Sequence, residues 1–170
     1  MVRHRALAHH ADVHKPTFVL ALSCLFAADR YQQLDEEIRP QLAAGMVVVT
    51  DRSLASGLVM QRHDGVNPEF LRALNARADR PDLAVILMVD ADTVAARLRE
   101  RVAHNRYQLR RAETVRELEL FVEAGKVLSR SGVHVLVLNT ATAPPAAVAA
   151  AIRDRIDSIR DEPLNQRLSL

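Results

Sequence analysis

The sequence predicts an α/β fold: a parallel sheet with helices on both faces. Three observations carry this. First, Met46-Val47-Val48-Val49, residues 83–89 and residues 133–138 are continuous apolar runs of strand length. Such runs are characteristic of strands buried on both faces of a parallel sheet. Second, the stretches between them carry helical periodicity or helix-start signals. Third, strand and helix alternate along the chain, the order that crossover connections produce.

Residues 1–16 are polar, rich in Ala and His, and without period, and are expected to be a disordered tail. His10 and His14 are four apart and could share a helix face, but no Cys or acidic set completes a metal site. Residues 17–44 read as a helix, with Thr17 as N-cap, a bend near Pro40 and Gly45 as the stop. Phe26 and Arg30, four apart, fall on one face. Taken alone, Phe26 reads as a core side chain. Leu34, Ile38 and Leu42 are expected to turn inward.

The strand at Met46 comes next, ending at Thr50-Asp51-Arg52. Residues 54–61 are a helix or loop leading away, and Asp64-Gly65 is a turn. Asn67-Pro68-Glu69 starts a helix that should run to about residue 78. After the strand at 83–89 come Asp90 and Asp92, the latter either a cap or a functional acid. Residues 93–102 and 113–130 read as helices, the second stopped by Ser131-Gly132. The strand at 133–138, a loop at 139–145, a helix at 146–160 and a tail at 161–170 complete the chain. Residues 17–160 are expected to form one domain.

Composition narrows the function classes. Of 170 residues, 49% are hydrophobic and 26% charged, which argues against wholesale disorder. The net charge of +2 names no partner. One cysteine, Cys24, excludes an internal disulfide framework and reads as a small buried apolar residue. The apolar run at 18–28 follows basic residues as a signal peptide would, but Asp29-Arg30 continue the same helix and argue against export. The run is also too short for a membrane span of ~20 residues, so a cytoplasmic protein without a membrane partner is expected.

In open α/β sheets ligands bind at the carboxyl ends of strands. Asp51 and Arg52 stand at such an end. The planar guanidinium fork of Arg52 suits a phosphate, to which it can donate two parallel hydrogen bonds. Between residues 97 and 111 there are six arginines (Arg97, Arg99, Arg101, Arg106, Arg110, Arg111) against Glu100 alone. Such a run is either a solvated helix face or, where His104-Asn105 interrupts the helical pattern, a clamp for polyphosphate. Nucleic acid is a weaker reading, because Tyr107 is the cluster's single aromatic.

These motifs, in this order, resemble the thymidylate kinase family, which passes a phosphoryl group from ATP to dTMP. The matching residues are Leu25-Phe26-Ala27-Ala28-Asp29-Arg30, Ile38-Arg39-Pro40 with Gly45, and Val48-Val49-Thr50-Asp51-Arg52 with Ser56 and Gln61. Phe70-Leu71-Arg72-Ala73-Leu74-Asn75, Arg80-Pro81-Asp82-Leu83 and Asn105-Arg106-Tyr107 lie further on. The resemblance runs from about residue 20 to 152. It implies a P-loop NTPase-like nucleoside-monophosphate kinase fold and a cytoplasmic nucleotide-biosynthesis enzyme. It further implies that Phe26 stacks on thymine and Arg30 donates to its carbonyl. Arg52 would hold the dTMP phosphate, Ser56 and Gln61 would line the pocket, and Asp51 would sit beside Mg²⁺ and the phosphoryl in transfer. The stretch at 97–111, with Arg101 and Arg106, resembles the family's lid over the ATP phosphates, and Asn139, Thr140 and Ala141 would flank adenine. A homodimer is a further expectation.

The sequence departs from the family at Ser53 and Met60, where the family usually has Tyr, and at Gly57, where a polar side chain often faces the base. The family also opens with a strand and a loop G-x-x-x-x-G-K-[ST]. None of Gly45, Gly57, Gly65, Gly125 or Gly132 opens such a loop. The fold is therefore expected to be N-terminally incomplete, with a strand lacking between those at 46–49 and 83–89. The two could close up, residues 18–22 could fill the slot, or another polypeptide could. Either the chain is part of a kinase or it is a non-catalytic nucleotide-binding remnant of one.

Overall fold

The computed structural model describes residues 14–101 and 111–162, with side chains described at 17–97 and 114–162. Two compact units divide the chain, Met1–Ala78 and Asp79–Leu170.

In the first unit, α1 (His14–Gln33), a π-helical turn (Leu34–Ile38) and α2 (Arg39–Ala43) form one continuous helical run. Thr17 lies inside α1 and does not cap it. The sequence places the bend at Pro40; the irregularity sits just before it. Pro40 has no N–H to donate, and its ring crowds the preceding turn. The ladder shifts by one residue, and Arg39 N–H bonds back to Leu34 O. The extra residue rotates everything after it, so the four-residue spacing of Leu34, Ile38 and Leu42 no longer marks one face. Leu34 is buried, whereas Leu42 is exposed. Cys24 is exposed as well, contrary to the buried reading.

Gly45 ends the run in a Schellman motif. At φ 79° it is left-handed; its N–H bonds to Leu42 O at 2.9 Å and Met46 N–H bonds to Gln41 O at 3.1 Å. Residues 46–50 form no strand and join no sheet among the described residues. Val49 is 81% exposed, so the expected strand buried on both faces is corrected. An apolar run alone does not make a strand, which needs a neighbour to satisfy its backbone and cover its faces. Residues 18–22 are helical in α1, which removes them as a substitute strand.

α3 (Leu54–His63) is a helix, and Gly65 closes it with a second Schellman motif, Gly65 N–H to Arg62 O and Val66 N–H to Gln61 O, both 3.0 Å. α4 (Pro68–Leu74) starts as the sequence predicts, with Asn67 Oδ1 accepting from Glu69 N–H at 2.7 Å. It stops at Leu74, short of residue 78, because Asn75 turns its amide back onto Leu71 O. α1, α3 and α4 pack together around Ala27, Val59, Val66 and Leu71. Ser23, buried with them, is satisfied by donating to Val19 O at 2.8 Å.

The second unit holds a parallel pair, β1 (Leu83–Met88) and β2 (His134–Asn139), in register from Leu83 against His134 to Met88 against Asn139. α5 (Ala91–Arg101), α6 (Arg111–Arg130) and α7 (Pro145–Asp161) accompany it. α6 lies close on the strands at Gly125: a β-carbon there would stand 2.8 Å from Ile86 Cδ1. Beside this contact is an apolar cavity of about 490 Å³ lined by Ile86, Met88, Val122, Val135 and Val137. Gly132 ends α6 in a third Schellman motif, Gly132 N–H to Ser129 O and Val133 N–H to Leu128 O, both 3.1 Å. α7 is tied to β2 where His134 Nε2 meets Glu162 Oε2 at 3.3 Å and His134 Nδ1 meets Arg155 Nη2 at 2.9 Å. No helix among the described residues is long and apolar enough to cross a membrane.

Candidate functional site

The first unit brings the predicted base-reading residues together. Arg30 comes from the last turns of α1 and Gln61 from the end of α3. Both side chains come over Gly57: a β-carbon at Gly57 would lie 3.5 Å from Gln61 Oε1 and 3.6 Å from Arg30 Nη2. The other arm of the guanidinium, Nη1, donates to Asn75 Oδ1. Asn75 is fixed in turn, its Nδ2 donating to Leu71 O at 2.7 Å. Tyr31 ties the same corner, donating to Leu74 O at 2.9 Å and accepting from Arg77 N–H at 3.3 Å.

Gln61 is 6% exposed, and Arg30 is half-buried. Burial lowers the Arg30 pKa from its ordinary value, against the pull of Tyr31 and Asp29. A guanidinium stays charged throughout the working range and has donors only. The site thus offers a desolvated donor beside an amide. Phe26, one turn before Arg30, is 50% exposed, so its ring face is open rather than packed into the core. Ser56, next to Gly57 on α3, is partly exposed.

Asp51 and Arg52 come after residues 46–50, and both are exposed. Arg52 has φ 68°, the one non-glycine among the described residues in the left-handed region. For a side chain this large that conformation is strained, and strained backbone is concentrated at ligand sites. Among the described residues no three His, Cys, Asp or Glu side chains gather as a metal centre. Asp51 belongs to no such group among the described residues.

In the second unit the 139–141 loop is held from both ends. Thr140 N–H donates to Met88 O at 2.8 Å, and Ala141 N–H to Asn139 Oδ1 at 2.9 Å. Arg97 Nη2 donates to Thr140 O at 2.8 Å. Arg97, counted in sequence with the arginine-rich stretch, is thus a brace for this loop. The cap of α5 is Asp90, not Asp92: Asp90 Oδ1 accepts from Thr93 N–H at 2.8 Å and Oδ2 from Thr93 Oγ1 at 2.6 Å. Those bonds, the side-chain one first, lower the Asp90 pKa. The Arg101 side chain and all of Arg106 lie outside the described residues, as does most of the expected lid at 97–111.

Sequence reasoning missed the roles of Asn75 and Arg97. No local signal marks them, since each acts on a partner more than 40 positions away. Gly57 did carry a signal: a glycine inside a helix costs about 1 kcal/mol against alanine, which calls for a reason.

An exposed aromatic and a half-buried donor on α1, and a strained arginine before α3, are the residues whose chemistry suits an anionic ligand with a planar, polar-edged group. The chain belongs to the thymidylate kinase family, whose model matches residues 4–143. It is 37% identical over 97 residues to a probable thymidylate kinase of Pyrobaculum aerophilum, covering 56% of this chain and 50% of that protein. To a probable thymidylate kinase of Thermococcus kodakarensis it is 40% identical over 81 residues, 48% of this chain and 40% of that one. To one of Pyrococcus abyssi it is 45% identical over 67 residues, 39% of this chain and 33% of that one. The chain spans about half the length, or less, of these curated relatives.

Proposed function

We propose that the first unit is the acceptor side of a thymidylate kinase-like, P-loop NTPase-type enzyme that passes the γ-phosphoryl of ATP to dTMP, giving dTDP and ADP. The observation that carries this reading is the convergence of Arg30 and Gln61, from two different helices, over Gly57. Thymine stacks on the exposed face of Phe26, and Arg30 donates to its carbonyl oxygen. Ser56 and Gln61 line the pocket. Arg52 holds the monophosphate, and its strained backbone is consistent with a position fixed for a ligand.

Phosphoryl transfer needs in-line positioning and stabilisation of charge on the transferred oxygens, with little covalent chemistry from the protein. Arg52, Arg101 and Arg106 are assigned to that charge, and Asn139, Thr140 and Ala141 to adenine. Mg²⁺ is usually held by one or two carboxylates together with substrate phosphates and water. The Asp51 carboxylate fits that donor set. Bound there, the ion would neutralise charge on the phosphates. Asp51 supplies the protein ligand, and the arginines orient the oxygens.

A second reading is a nucleotide-binding remnant without turnover. One experiment separates the two. ADP release is measured with ATP, Mg²⁺ and dTMP, for the wild-type chain and Arg52→Ala, beside calorimetry with dTMP. Turnover lost in Arg52→Ala supports the kinase and removes the remnant. Binding without turnover supports the remnant. A chain that binds no dTMP refutes both.

A further inference from the structure

Arginine presents five N–H donors on a rigid plane, so fixing one arm aims the rest. Asn75 takes one arm of Arg30, at Nη1. It is a firm anchor, because its own amide is bonded to Leu71 O and the same corner is bonded through Tyr31 to Leu74 O. The second arm, Nη2, is left facing the space over Gly57, with Gln61 Oε1 beside it. A β-carbon at Gly57 would make ordinary van der Waals contact with both groups, but any atom beyond it would displace one of them.

We propose that Asn75 is a positioning residue that sets base selectivity, by holding Arg30 with Nη2 over Gly57, beside Gln61. This rests on the reading of the first unit as a pyrimidine monophosphate site. Nη2 can only donate, so the edge it meets must accept. Thymine has a carbonyl at C4 and a donor at N3, which suit Nη2 and Gln61 Oε1 respectively. Cytosine has an amino group at C4 and an acceptor at N3, which would set donor against donor. A buried site built for one hydrogen-bond pattern rejects the inverse pattern strongly. Without Asn75, the Arg30 fork can swing, and the C4 carbonyl loses its preference over an amino group.

The test is calorimetric titration of the full 170-residue chain with dTMP and with dCMP, using wild type, Asn75→Ala, Asn75→Asp, Gly57→Ala and Gly57→Val. Circular dichroism and thermal midpoints check each fold. The wild type should prefer dTMP. Asn75→Ala should weaken dTMP binding by about tenfold or more and erase the preference. Asn75→Asp keeps an acceptor for Nη1 and should retain the preference, even where stability falls with the lost bond to Leu71. That rescue is not expected of a residue that merely supports the fold. Gly57→Ala should bind as wild type does, and Gly57→Val should bind neither nucleotide while remaining helical. A dTMP-to-dCMP ratio unchanged in Asn75→Ala, or tight dTMP binding by Gly57→Val, overturns the inference and leaves the site reading intact. A wild-type chain that binds neither nucleotide overturns the site reading and the inference with it.

Discussion

Arg52 is the sharpest place to test the structural reasoning. With φ at 68°, its β-carbon crowds its own backbone. The left-handed conformation costs an L residue about 1–2 kcal/mol, and glycine escapes that cost. Glycine in turn gives the unfolded chain extra entropy, worth about 0.4–1 kcal/mol. The difference predicts that Arg52→Gly is more stable than Arg52→Ala by about 1 kcal/mol, since alanine keeps the strain. The comparison isolates the backbone, because both variants lose the exposed guanidinium. Urea denaturation monitored by circular dichroism measures it directly. For a chain of this size the same difference is about 2–4 °C in thermal midpoint. Both variants should be equally poor at binding dTMP, so the glycine variant gains stability while losing function. If Arg52→Gly is no more stable than Arg52→Ala, the strain argument for this residue is wrong.

At Gly125, a methyl group meets Ile86 Cδ1 at 2.8 Å, but that atom ends a flexible side chain beside the apolar cavity. Gly125→Ala should therefore be near neutral, the helix gain of about 1 kcal/mol offsetting the crowding, whereas Gly125→Val should destabilise by about 2 kcal/mol in urea unfolding. Asp90→Ala should lower the thermal midpoint at pH 7. Because the folded Asp90 pKa is depressed, its stabilisation is present above the ordinary value of 3.8 and is lost as pH falls through the folded value. The gap between wild type and variant should therefore close in acid. Arg97→Ala should speed amide exchange at Thr140 and Ala141 while leaving dTMP binding unchanged, which hydrogen exchange and calorimetry report separately.

The two paired strands were legible in the sequence to within a residue, because turn residues bound each apolar run. Two helix stops were legible for a different reason: Gly45 and Gly132 each follow a helical pattern, and both adopt positive φ, as does Gly65 in the Asp64-Gly65 turn. Asn67 was readable as a cap because its work is done two residues away. What failed was of another kind. Residues 46–50 have a strand's composition, but pairing is a property of the neighbour and not of the run. The inward face forecast for Leu42 failed because one proline changed the period upstream of it. Among the candidate residues, Phe26, Arg30 and Gln61 were singled out through their motifs. Asn75 belongs to a motif but carried no legible task, since its task is set by a contact 45 positions back.

The three glycine stops are alike in geometry but differ in how the chain leaves them. Beyond two of them the next residue, Val66 or Val133, is buried at once and anchors the chain. Beyond Gly45 the next residue, Met46, stays exposed, and so does most of the segment to Arg52. The segment that carries Arg52 is therefore tied in at its two ends, by the Gly45 hydrogen bonds and by α3, and hardly at all by burial of its own side chains.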